Sequence, residues 1–147
     1  MRRRRTGLAR RTLANVRAGR AQKLLSAATA ASALPLGVEI YVNHYGGSFG
    51  NKWMWTPVAL SPVLSAAGVA GMRSERAART VLPALGVCYV ADGAAGVFFH
   101  LRGIARKPGG FREATYNLVM GPPALAPGAL AMVGALGLAA GVMRRER

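Results

Sequence analysis

Long apolar stretches, each closed by a cluster of polar or charged residues, set the pattern of this chain. The first runs from Lys23 to Asn43, the second from Trp53 to Met72, the third from Val81 to Leu101, and the last apolar region from Ala114 to Met143. A helix rises 1.5 Å per residue, so about 20 apolar residues cross a ~30 Å hydrocarbon core. The last region is too long for one crossing, at ~45 Å as a straight helix. Gly121-Pro122-Pro123 offers a natural break within it. That break divides it into a short interfacial segment, Phe111–Met120, and a fourth span at 124–143. The pattern therefore predicts an all-α membrane protein: a four-span transmembrane helical bundle with spans at 23–43, 53–72, 81–101 and 124–143.

The connections carry their own signals. Tyr45-Gly46-Gly47-Ser48-Phe49-Gly50-Asn51 reads as a loop, and Trp53 and Trp55 mark re-entry, as aromatic rings do at the membrane–water interface. Pro57 and Pro62 are expected to kink the second span, which membrane helices tolerate where neighbours satisfy the freed carbonyls. Arg73–Arg79 reads as a short solvated loop. The third connection, from Arg102 to Arg112, is basic and is broken by Pro108-Gly109-Gly110.

Charge settles the expected orientation. The net charge is +15, yet the basic residues cluster at the chain ends and in two connections rather than on one folded face. No nucleic-acid motif or interleaved aromatic face accompanies them, so the reading excludes a nucleic-acid partner. Of the 20 Lys and Arg, 15 fall in the tail at 1–22, at Lys23, in the Arg73–Arg79 connection and in the tail at 144–147. The positive-inside rule then places both termini in the cytoplasm, in a bacterial cytoplasmic (inner) membrane. The competing reading is a cleaved signal at Ala31-Ser32-Ala33. Against it, the apolar pattern continues through Leu36, Val38, Ile40 and Val42. The single Cys88 excludes an intramolecular disulfide, and one Cys with two His is too few for a structural zinc site.

Candidate chemistry comes from polar residues inside the spans. Asp92 lies within the third span and Glu39 within the first, and an intramembrane acid faces protein, water or a partner. Gly93, Gly96 and His100 share one stripe of the third helix, and small residues there admit a neighbouring helix or a flat ligand. Gly134, Gly137 and Gly141 offer a close-packing face on the fourth. His44 ends the first span and His100 the third, both at the outer face, with Glu39 and Asp92 below them. The plain reading makes His44 an interfacial residue and His100 a cap on a helix C-terminus, where imidazolium is favourable. The sharper reading is a haem b with His44 and His100 as axial ligands, room from Gly93 and Gly96, and propionates met by Arg102 or Arg106. Neutral, hydrogen-bonded acids compete in the same way with a proton pathway through Glu39 and Asp92. Arg102, Arg106, Lys107 and Arg112 are expected to contact anions or lipid headgroups.

No phosphate-binding loop, metalloprotease helix or nucleophile elbow occurs, and the soluble loops are short for a catalytic domain. The leading expectation is a non-enzymatic accessory or anchoring subunit. Its partners would be the bilayer and a membrane or extracytoplasmic protein, or a second copy of the chain. A haem b electron-transfer subunit and a small transporter or proton pathway are the alternatives.

Overall fold

The computed structural model describes residues 18–123 and 125–145, together with positions 7, 10–14 and 16. Arg2 to Arg5, Leu8 and Arg17 of the basic tail, Ala124 at the head of the expected fourth span, and Glu146 and Arg147 lie outside the described residues. The described residues form helices and no strand: α1 (Ala21–Gly46), α2 (Trp55–Arg73), α3 (Glu75–Arg79), α4 (Val81–Ala105), α5 (Ala114–Val119) and α6 (Ala126–Val142). Short 3-10 turns at Lys52–Met54 and Gly110–Glu113 lead into α2 and α5.

Among the described residues, three segments are long and apolar enough to cross a membrane: Ala21–Gly46, Lys52–Arg73 and Glu75–Ala105. The fourth apolar helix, α6, has 17 residues, or ~25 Å of rise. Several expected boundaries move. α1 extends past Asn43, because nothing before Gly47 breaks it, and His44 sits in its last turn. The Arg73–Arg79 connection folds as α3, where Ser74 accepts from the Ala77 amide at 3.3 Å and Arg79 pairs with Glu75 at 2.9 Å. Pro57 falls in the first turn of α2, where no helical hydrogen bond is lost, so only Pro62 is interior. α4 runs on to Ala105, so His100 precedes its end by more than a turn and does not cap it.

The four long helices close into a ring in which α1 packs on α2 and α6, and α4 packs on α6 and α2. α1 and α4 therefore lie on a diagonal. Buried residues on all four, including Ala33, Leu64, Leu82, Tyr89 and Leu130, make one core. The Ala- and Ser-rich first half of α1 turns Gln22, Ser26, Thr29 and Ala30 into that interior. Large apolar side chains such as Val38, Val63, Val87 and Met132 point outward. Glycines set the closest approaches. A Cβ on Gly93 would stand 2.7 Å from Ala131 N, and one on Gly68 would stand 2.7 Å from the Ser26 carbonyl oxygen. Real side chains essentially never come so near, so these crossings admit only glycine.

Each end of the ring is pinned by polar side chains. At the lower end, Gln22 Nε2 donates to the carbonyls of Ala140 and Met143, both at 3.1 Å, and Arg145 donates to the carbonyls of Gly71 and Met72. These bonds go to carbonyls at or just past the C-terminal ends of α6 and α2, where a helix has few partners of its own to offer. The upper end, where α1 and α4 finish and α2 and α6 begin, is more open and holds the candidate site.

Candidate functional site

Between the upper ends of the four helices lies a cavity of about 670 Å³. Its walls are largely apolar, with Ile40, Pro57, Phe99, Pro127 and Leu130 among them. The polar groups are few: Asn43, His44, Asn51, Asp92 and His100, with Arg102 and Arg106 beside the mouth. A mostly apolar concavity with a few convergent polar groups is the usual form of a small-molecule site.

The diagonal geometry brings the two histidines together. α1 and α4 run the same way, so their last turns face each other across the ring, and the imidazoles of His44 and His100 reach a centroid separation of 6.5 Å with planes at 79°. His100 Nδ1 lies 3.0 Å from the Pro123 carbonyl oxygen. A carbonyl only accepts, so Nδ1 is the donor in this bond and Nε2 is the nitrogen left for another contact. Pro123 belongs to the break between α5 and α6; a sequence signal for the turn exists, but none for its carbonyl as a partner of His100. His44 Nδ1 is buried without a hydrogen-bond partner among the described residues.

The loop after α1 holds His44 from the other side. Its carbonyl accepts from the amides of Gly47 at 3.0 Å and Phe49 at 3.1 Å. Ser48 and Phe49 take left-handed backbone conformations, at φ 56° and 46°, which cost energy for residues with a Cβ. In return Phe49 stacks on Trp55 with centroids 3.9 Å apart and lies 6.1 Å from the His44 ring. A bulky residue held there ties the loop to the first turn of α2.

Asp92 stands below the histidines. Its Oδ1 is 2.5 Å from Thr56 Oγ1, which is also 2.8 Å from the Trp53 carbonyl oxygen. One hydroxyl proton cannot serve two acceptors. Both contacts are satisfied if the carboxyl of Asp92 is protonated and donates to Thr56, which donates to Trp53. Asp92 Oδ2 is then a buried acceptor without a partner among the described residues. One turn further down, Tyr89 and Ser61 share a 2.7 Å hydrogen bond, and Ser61 donates to the Pro57 carbonyl at 2.5 Å. The polar ladder ends there, against apolar core.

The structure thus brings together His44, His100, Asp92 and Gly96 with Arg102 and Arg106. Gly93 does not line the cavity; it lies against Ala131 and Pro127 in the α4–α6 crossing. Glu39 is exposed on the outer side of α1, and its backbone carbonyl accepts from Asn43 Nδ2 at 2.9 Å. It shares no wall with Asp92. Lys107 Nζ donates to the Met120 carbonyl at 3.2 Å at the end of α5, and Arg112 is exposed in the 3-10 turn. Thr56 and Pro123 are the partners that sequence reasoning missed. Among the described residues no group of three or more His, Cys, Asp or Glu is placed to hold a metal ion. No protein family, curated protein or solved structure matches the chain.

Proposed function

We propose that this protein is a small, non-enzymatic subunit of a bacterial cytoplasmic membrane that anchors or assists a partner membrane protein. The observation that carries this reading is Glu39, exposed on a helix whose outward neighbours Leu34, Val38 and Val42 are apolar. Facing lipid, a carboxyl group at this depth costs free energy, on the order of 2.5–3.5 kcal/mol for an ionised acid at a span's centre. A second polypeptide that offers it a donor removes that cost. The proposed topology has four spans and both termini in the cytoplasm. α6 is at the short end of the ~17–25 residue range for a crossing, and Arg144 and Arg145 follow it at the proposed cytoplasmic face.

Purification in mild detergent, with identification of co-purifying proteins, tests the reading. A stoichiometric partner retained by Glu39→Gln and lost from Glu39→Leu is the expected result. A monomeric protein whose Glu39→Leu variant is more stable than the wild type would overturn it. The separation of His44 and His100 favours a second, compatible reading, in which the subunit carries electrons for its partner.

A further inference from the structure

We infer that the upper cavity is a binding site for haem b, with the imidazoles of His44 and His100 as the axial ligands and Arg102 and Arg106 as the cations for its propionates. The inference rests on the electron-transfer reading above and supplies its cofactor.

Four observations converge. An imidazole nitrogen bonds a metal at ~2.0 Å and lies ~1.1 Å from its ring centroid, so two trans axial imidazoles place their centroids ~6.2 Å apart. The observed separation is 6.5 Å. Axial rings turn about their metal–nitrogen bonds, so the crossed planes are compatible with that arrangement. Next, the Pro123 carbonyl holds His100 by Nδ1, which leaves Nε2 for another contact, the outer-shell pattern that orients metal-bound histidines, and the His44 side chain lines the same cavity.

The third observation is room. The cavity of about 670 Å³ lies within the ~300–1,000 Å³ range of cofactor-sized pockets. The fourth is polarity. Apolar walls suit a macrocycle and exclude water, while the two arginines stand beside the mouth as charge-assisted donors for carboxylates. A hydrolytic metal ion would need a third protein ligand, and no such group is placed there among the described residues. Two imidazoles and no third ligand suit an iron whose other four positions are filled by a porphyrin.

The test is a hemin titration of the full chain purified in mild detergent, followed by absorption spectra of the oxidised and reduced forms. The expected result is one hemin per chain with a six-coordinate, low-spin spectrum. His44→Ala and His100→Ala should each weaken binding at least about tenfold and give five-coordinate, high-spin spectra that added imidazole restores. Arg102→Gln with Arg106→Gln should weaken binding while leaving the spectrum low-spin. Circular dichroism separates lost ligation from lost fold, and imidazole rescue applies only to folded protein. No binding by the folded wild type overturns the inference, as does binding unchanged in both histidine variants. Partner association is read separately, so an anchoring subunit without haem is a distinguishable outcome.

Discussion

Gly86 and Gly134 cross so closely that a Cβ built on either would stand 2.8 Å from the other's carbonyl oxygen. Backbone, not a flexible side-chain end, is what each would meet, so α4 and α6 must separate to admit even a methyl group. Gly134→Ala is therefore expected to destabilise the bundle by about 1–3 kcal/mol, the usual cost of forcing extra volume into a close-packed contact. Gly128→Ala, on the same helix with nothing within 4 Å of its Cβ, should be neutral. Thermal unfolding of both variants in one detergent measures the difference. Equal midpoints would show that α6 does not dock on α4 as described.

The stripe of small residues on α4 serves packing and the cavity in succession along the helix. A Cβ on Gly93 would meet backbone of α6, whereas one on Gly96 would meet the Pro127 ring, 2.9 Å from its Cβ. Gly96→Leu should consequently impair both assembly and access to the cavity, and should be worse than Leu130→Ala, which only removes volume. Size-exclusion profiles in detergent distinguish them.

Asp92 and Thr56 yield a graded prediction. Asparagine keeps the shape and can donate to Thr56 Oγ1, so Asp92→Asn should be mild. Asp92→Leu leaves the Thr56 hydroxyl without its donor and should cost about 1–3 kcal/mol. Thr56→Val should cost a similar amount, and the double variant Asp92→Leu with Thr56→Val less than the two single changes combined, because they remove one shared interaction. Infrared difference spectra of wild type against Asp92→Asn check the proton directly. A protonated carboxyl band supports the assignment, and a carboxylate pair in its place would refute it.

What the sequence made legible was periodicity and punctuation. Apolar length, the loop at Tyr45–Asn51 and the break at Gly121-Pro122-Pro123 locate the helices, because these are local properties. The convergence of His44 and His100 was legible for a related reason: both follow an apolar run on segments separated by one further span, so both reach the same end. Contacts between elements were not legible. Nothing near Asp92 in the chain indicates Thr56, and nothing near His100 indicates the Pro123 carbonyl. The face of Glu39 was hidden too, since the first span carries apolar residues on every side and its pattern does not say which side packs. Helix ends shifted where capping, not hydropathy, decides them, as at Ser74 and at the continuation of α4 through His100.

The diagonal placement of α1 and α4 gives the last prediction, which concerns the two acids. Glu39 is exposed on α1, while Asp92 bonds to Thr56 of α2 from inside the ring. Cysteines at 39 and 92, in a Cys88→Ala background, should therefore fail to couple through a short bifunctional maleimide. Cysteines at 56 and 92 should couple efficiently, because those side chains already approach to 2.5 Å between oxygens. The comparison is internal to one protein preparation, so poor reactivity is recognised from the second pair. Efficient 39–92 coupling within one chain would turn α1 by roughly half a revolution, bury Glu39 and join the acids in one path, as a proton pathway requires. Coupling of 39 to 39 between chains would instead identify a second copy of this protein as the neighbour that covers Glu39. Failure at 39–92 with success at 56–92 leaves Asp92 as the intramembrane acid of the cavity and Glu39 as the acid of the outer face.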